Sequence, residues 1–136
     1  MSRTLSPTAS ATDAAPAALP VTSMLRLEGA LAAAGAIAAF YALGYSWWLF
    51  GALILAPDLA MLGFLAGPRV GAWTYNLAHT YLAPAILAAI GYATHEPLAM
   101  ALAAIWAAHI GVDRVLGYGL KLGTDFKTTH LSSPAR

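Results

Sequence analysis

The chain has 136 residues, of which 60% are hydrophobic and only 10% are Asp, Glu, Lys or Arg. Soluble domains usually have about 25% charged residues, so this deficit, with a mean hydropathy of +0.67, indicates a membrane protein. The absence of Cys excludes disulfides, thiolate metal sites and iron–sulfur clusters. A net charge of +1 without a basic patch gives no indication of nucleic-acid binding.

The chain divides into a tail, a hydrophobic region and a second tail. Residues 1–23 are mostly Ala, Pro, Ser and Thr and predict a disordered segment. Residues 24–120 predict an all-α domain with four transmembrane helices. Residues 121–136 are polar and predict a cytoplasmic tail. The lipid bilayer is therefore the first expected partner.

The four predicted spans are residues 25–43, 47–66, 70–92 and 97–118. Each is near the roughly 20 apolar residues that cross a hydrocarbon core. Pro57 interrupts the second span, and Pro84 predicts a kink in the third. Pro97 suits the first turn of the fourth. Gly63 and Gly67 have the small-residue spacing of packed transmembrane helices, which favours close helix contacts and is compatible with a homo-oligomer.

Positive charges predict the orientation of this bundle. They precede the first span, lie between the second and third, and follow the fourth (Arg3, Arg26, Arg69, Lys121, Lys127 and Arg136). The other two loops contain neither Lys nor Arg. The positive-inside rule then places both termini in the cytoplasm.

Polar residues in the predicted spans lie in the cytoplasmic half of the bundle. At 1.5 Å per residue, Asp58, His79 and His109 are roughly 12–15 Å from the cytoplasmic helix ends. His109 and Asp113 are four residues apart and share a helix face, as do Tyr75 and His79. Because ionisable groups are costly at this depth, the cluster is a candidate functional site.

Several short motifs resemble one known family. They are SWWLF (46–50), PDLAMLG (57–63), GPRVG (67–71), YNLAHTY (75–81), HIGVDR (109–114) with GYGLK (117–121), and FKTTHL (126–131). Together they resemble the domain of unknown function 4260 family of small bacterial integral membrane proteins. The resemblance implies a four-helix membrane protein in the inner membrane of a bacterium, and no known activity. The polar residues that match its motifs are Asp58, Asn76, His79, His109, Asp113, Arg114 and His130.

The first functional hypothesis is a metal-dependent enzyme. Two imidazoles and two carboxylates, from His79, His109, Asp58 and Asp113, suit Zn²⁺, Mn²⁺ or Fe²⁺. Such a metal could activate water against a lipid-like or amphipathic substrate at the inner leaflet. Glu28 or an unliganded Asp is then the candidate general base.

The remaining predicted site residues would bind the substrate. Arg114 and Lys121 would bind an anionic headgroup, and Tyr75 and Asn76 are the other candidate substrate-binding residues on the same face.

Other readings of the same residues stay open. Asp58 or Asp113 could pair with Arg114 and only fix helix packing in a non-catalytic protein. Buried Asp and His could also catalyse acid–base chemistry without metal on a hydrophobic substrate. A transporter would place such groups at membrane depth, although the outer half has almost nothing polar. Finally, His79 and His109 could bind haem.

Overall fold

The computed structural model describes residues 18–121, and the side chains from residue 21 onward. Five α-helices and one 3₁₀ helix make up this part of the chain. They are α1 (Ala18–Ala42), α2 (Trp47–Leu53), the 3₁₀ helix (Ala56–Ala66), α3 (Pro68–Ala78), α4 (Leu82–Ala93) and α5 (Pro97–Leu116). The predicted all-α class is confirmed. Residues 1–17 and 122–136, with most of both predicted tails and His130, lie outside the described residues.

Three helical stretches are long and apolar enough to cross a membrane within the described part of the chain. They are Val21–Ala42, Trp47–Ala66 and Pro97–Leu116. Large apolar side chains point outward along them, as expected for a surface that contacts lipid. The predicted turn at residues 44–46 and the helix start at Pro97 are confirmed. The first helix begins at Ala18, earlier than predicted, so it includes residues that the sequence assigned to the tail.

The third predicted span is not one kinked helix. It breaks into α3 and α4, of 11 and 12 residues, with residues 79–81 between them. Pro84 lies near the start of α4 instead of at a bend. Its ring would clash with the carbonyl group of Thr80 in a continuous helix, and it has no N–H to donate. The helix therefore ends upstream of Pro84, and the break contains His79.

The second span continues through Pro57 as a 3₁₀ helix. Hydrogen bonds from Asp58 N to Leu55 O and from Gly67 N to Phe64 O, each 3.1 Å, join residues three apart. Side chains three apart are eclipsed in such a helix. Accordingly Leu59, Leu62 and Leu65 form one exposed row, with 67%, 62% and 88% of their surfaces accessible.

The small residues of the 3₁₀ helix face α3. Gly63 lies directly against Thr74, whose hydroxyl donates to Ala60 O at 2.9 Å. In the same interface, Gly71 of α3 lies directly against the ring of Phe64. The small residue at Gly63 is thus explained by packing within the chain.

Helix α5 is central, with α1 and α4 packed along it. Phe40, Ala101 and Ile105 form a buried core near one end of the α1–α5 pair. At the other end the two backbones cross closely at Gly29 and Gly111. A Cβ atom on Gly111 would lie 2.7 Å from both Gly29 O and Ala33 N.

This crossing predicts that Gly111→Leu destabilises the protein. The added side chain must separate α1 from α5, and overpacking of this kind typically costs about 1–3 kcal/mol. Thermal unfolding in detergent would measure the loss. Gly35→Leu is the matched control, since a Cβ atom there has nothing within 4 Å. Equal melting temperatures for the two variants would contradict the close crossing.

Candidate metal centre

Four side chains from three separate elements meet at the break between α3 and α4. His79 follows the last residue of α3. His109 and Asp113 are one turn apart on α5, and Asp58 lies in the first turn of the 3₁₀ helix. One ligand atom from each of these residues lies within 4.8 Å of all the others. The structure thus brings together the four residues that the sequence predicted as metal ligands.

The shortest contacts within the cluster join ring nitrogens and carboxylate oxygens. His79 Nε2 lies 3.2 Å from His109 Nε2, 3.3 Å from Asp58 Oδ1 and 3.5 Å from Asp113 Oδ2. His109 Nε2 lies 3.4 Å from Asp58 Oδ1 and 3.6 Å from Asp113 Oδ2. Both Nε2 atoms therefore face the same small space as the two carboxylates.

Burial differs among the four groups. The side chains of His79 and His109 are 1% and 4% accessible, and that of Asp113 is 15% accessible. Asp58 is 39% accessible and forms the open side of the cluster. A small molecule or water would therefore approach from the side of Asp58.

The tautomer of neutral His79 follows from its backbone contact. Its Nδ1 lies 2.9 Å from Tyr75 O, which can only accept a hydrogen bond. The proton of the neutral ring is therefore on Nδ1, and the Nε2 lone pair points into the cluster. A backbone carbonyl that orients a ligating imidazole in this way is common around protein-bound metals. Tyr75 also stacks on the His79 ring, with centroids 3.7 Å apart.

The carbonyl groups at the end of α3 are satisfied by α5. Trp106 Nε1 donates to Ala78 O at 2.6 Å, and Arg114 Nη2 donates to His79 O at 3.0 Å. Arg114 Nη1 also donates to Tyr118 O at 2.9 Å. A broken helix in an apolar environment needs such partners for its freed carbonyls. The motif and depth arguments from the sequence did not identify Trp106, whose indole N–H caps the end of α3.

The predicted substrate-binding residues lie at the edge of the cluster. Asn76 pairs with the backbone of Lys121 through hydrogen bonds of 2.8 and 2.7 Å. Lys121 Nζ lies 5.1 Å from the centre of the Tyr75 ring, and Tyr75 Oη is 3.5 Å from Asp113 Oδ2. The contacts of Lys121 with Asn76 and Tyr75 hold the segment after α5 against helix α3.

The structure does not bring Glu28 into this group of residues. Glu28 is exposed on α1, and the four clustered ligands do not include it. Its neighbour Gly29 is the residue that faces α5, where a Cβ atom would lie 2.5 Å from Arg114 Cβ. The close α1–α5 crossing therefore directs Glu28 away from this contact.

The family model of DUF4260, described as a domain of unknown function, matches residues 22–133. The chain belongs to this family. The match includes all four residues of the cluster and Arg114, and it confirms the resemblance found in the sequence motifs. No curated protein and no solved structure matches the chain.

Proposed function

We propose that this DUF4260 protein is a membrane metalloprotein in which His79, His109, Asp58 and Asp113 bind one divalent metal ion. The observation that carries the proposal is the set of five separations of 3.2–3.6 Å among four ligand atoms. Tetrahedral Zn²⁺ with bonds of about 2.0–2.2 Å requires ligand atoms about 3.3–3.6 Å apart. The side chains therefore need little movement to coordinate an ion.

The charge of the cluster also favours a cation. Two ionised carboxylates can only accept hydrogen bonds, and the neutral His79 ring presents a lone pair. Neutral His109 adds at most one ring proton, and Tyr75 Oη donates one long hydrogen bond of 3.5 Å to Asp113 Oδ2. Two negative charges in a mostly buried site are costly without a compensating positive charge. A divalent ion neutralises both carboxylates and gives every lone pair a partner.

The ligand set favours zinc. Two imidazole nitrogens and two carboxylate oxygens, without sulfur, suit Zn²⁺ and are also compatible with Mn²⁺ and Fe²⁺. Five of the six ligand-atom separations match a tetrahedron, which favours Zn²⁺ over ions that prefer six ligands.

We further propose that the site is catalytic and acts on a lipid-like substrate. A bound zinc ion supplies a Lewis acid and lowers the pKa of coordinated water. His79, His109 and Asp113 are the more buried groups and would hold the ion. Asp58 is more accessible, and its Oδ1 would accept a proton while the other three residues hold the ion. This assigns the general-base role to Asp58 rather than to the exposed Glu28.

The proposed orientation places this chemistry near the cytoplasmic surface of the inner membrane. Arg26 lies against Gly117, where a Cβ atom would be 2.9 Å from its guanidinium nitrogen. The beginning of α1 and the end of α5 are therefore at the same end of the molecule. With Lys121 also at this end, the positive-inside rule favours its cytoplasmic location. A substrate would then enter from the inner leaflet.

A second candidate is a metal that only fastens the helices. The observation that favours it is that four protein ligands complete a tetrahedron, as in structural zinc sites. The ion would join the 3₁₀ helix, the α3–α4 break and α5. In that case Asp58 would remain a ligand, and loss of the metal would lower stability without affecting any reaction.

Two carboxylate variants test these alternatives. For the purified protein we expect one zinc per chain by elemental analysis. If Asp58 is the general base, Asp58→Asn keeps the metal, whereas Asp113→Asn loses most of it. If the site is a closed structural tetrahedron, both variants lose metal to a similar extent. Wild-type protein without metal, after Zn, Mn and Fe were each supplied during growth, would refute the metalloprotein proposal.

A further inference from the structure

An apolar cavity of about 390 Å³ lies beside the proposed metal centre. Its walls come from α2, the 3₁₀ helix, α3, α4 and α5, with Leu53, Leu87 and Leu102 among the lining residues. This volume is within the range of small-molecule binding pockets, about 300–1,000 Å³. The cavity is therefore large enough for a ligand.

Three of the lining residues lie close in the chain to metal ligands, although none of the four ligands lines the cavity itself. Pro57 and Ala78 line it and are followed directly by Asp58 and His79, and Ile105 lines it one helical turn before His109. The cavity thus approaches the cluster from three elements at once. A molecule lying in it would have one end beside the four ligands.

The lining offers nothing to a polar ligand. Trp106 is the lining residue whose side chain has a hydrogen-bonding atom, and its Nε1 already donates to Ala78 O at 2.6 Å. Ordered water would need two to four polar partners, which these walls do not provide. The occupant must therefore be apolar along this length.

The volume is also too small to enclose a helix from a second copy of the chain. One turn of an α-helix about 10 Å across and 5.4 Å high fills roughly 420 Å³. The cavity would hold at most one turn, whereas a helix packed along a bundle contacts it over several. A narrow, flexible hydrocarbon chain fits this space.

From these observations we infer that the cavity binds a single hydrocarbon chain of a lipid, with the polar end of that lipid at the His–Asp cluster. The inference rests on the proposed metal function for the role of the polar end, and it assigns the substrate class. The hydrocarbon chain of the lipid would lie along Leu53, Leu87 and Trp106. Its carboxylate, ester or phosphate group would reach the metal beside Asp58.

Trp106 allows binding to be measured directly. Trp47, Trp48 and Trp73 are exposed and can be changed to Phe, which leaves Trp106 as the single fluorophore. The probe is 11,12-dibromostearic acid, titrated into the metal-loaded protein in detergent. Bromine atoms near the ring quench its fluorescence. We expect quenching that saturates at one fatty acid per chain.

Cavity and surface variants give the contrast. Ala60→Phe fills the cavity, and Ala52→Phe makes the same change on the exposed face of α2 in the same span. We expect Ala60→Phe to weaken binding at least ten-fold and Ala52→Phe to match the parent. Elemental analysis of both checks that the metal cluster has formed, and Leu87→Phe is a second cavity-filling variant if Ala60→Phe fails to fold.

Each outcome has a defined meaning. Quenching that rises linearly with fatty-acid concentration, equally in all variants, would show contact with probe dissolved in bulk detergent. It would overturn the proposed binding of a hydrocarbon chain in the cavity, even with zinc bound. Saturable binding whose affinity does not change on removal of a measured metal would overturn the placement of the polar end. If the parent protein contains no metal, the proposed function fails, while the contrast between Ala60→Phe and Ala52→Phe still decides whether the chain site exists.

Discussion

Replacement of His79 or His109 by alanine is expected to abolish metal binding. Each change removes one of two imidazoles from a four-ligand site and leaves two carboxylates with a single nitrogen ligand. One imidazole and two carboxylates are a poorer ligand set for zinc than two of each, so the affinity should fall by orders of magnitude. Elemental analysis after dialysis would measure the loss.

The zinc-dependent change in melting temperature distinguishes metal ligation by the histidines from a purely structural role. A ligand that binds only the folded state stabilises it by about 4 kcal/mol at a concentration 1,000 times its Kd. Added zinc should therefore raise the melting temperature of metal-free wild type and leave His79→Ala and His109→Ala unchanged. If zinc stabilises the variants as much as wild type, the ion binds elsewhere.

His95 provides the control for nonspecific histidine effects. It is exposed in the loop before α5 and has a φ of 56°. His95→Asn is the suitable change, because Asn tolerates this left-handed conformation better than Ala. This variant should keep the metal and the full zinc-dependent stabilisation. Loss of metal in His95→Asn would indicate that the assay reports surface histidines.

The cluster could be predicted from the sequence because helical geometry and membrane depth constrain the same few residues. The spacing of His109 and Asp113 places both on one helix face, and the positive charges at the loops align the depths of Asp58 and His79. Neither argument needs knowledge of which helices are neighbours. It suffices that polar groups at one depth in a small bundle have few other places to find partners.

The role of Glu28 could not be predicted in this way. The depth of Glu28 near the cytoplasmic end is compatible with a place in the cluster. Whether Glu28 reaches the cluster depends on the rotation of α1 about its own axis. That rotation is set by the close contact between Gly29 and α5, which depends on the packing of two helices. A single sequence shows Gly29 but does not show that α5 packs against it.

The broken third span illustrates a different limit. Pro84 predicts an interruption of the helix, because its ring would clash with the carbonyl of Thr80. Helix α3 nevertheless ends still earlier, at Ala78. Where a helix ends inside a bundle depends on which donors can reach its carbonyls. Here those donors come from Trp106 and Arg114, about thirty residues later in the chain.

The sequence of the 3₁₀ helix contains a three-residue repeat, which a search for α-helical periodicity does not detect. Leu59, Leu62 and Leu65 recur at every third position, with Ala60 and Gly63 in the adjacent row. A three-residue repeat keeps its leucines in a straight row toward lipid in a helix with three residues per turn. In an α-helix the same row would turn by about 60° at each step. Read with Pro57 at its start, this repeat is the feature that could have identified the element and the direction of Asp58.

Arg114→Gln is the second change for which we expect a large effect. The guanidinium of Arg114 donates to the carbonyls of His79 and Tyr118, and so connects the α3–α4 break to the end of α5. A hydrogen bond from a charged group contributes about 1.5–3 kcal/mol, and an unsatisfied carbonyl adds to the loss. We expect a lower free energy of unfolding and, because His79 is held less firmly, metal affinity reduced roughly 10–100-fold.

Two further variants distinguish this positioning role from a general loss of positive charge. Arg69→Gln removes an arginine that is exposed at the start of α3, and it should leave both stability and metal affinity at wild-type levels. Arg114→Lys keeps the charge, but its single ammonium group cannot reproduce the planar fork that serves two carbonyls. It should recover only part of the stability. If Arg114→Lys restores both properties completely, charge alone accounts for Arg114; if Arg114→Gln behaves like Arg69→Gln, the break between α3 and α4 does not depend on this side chain.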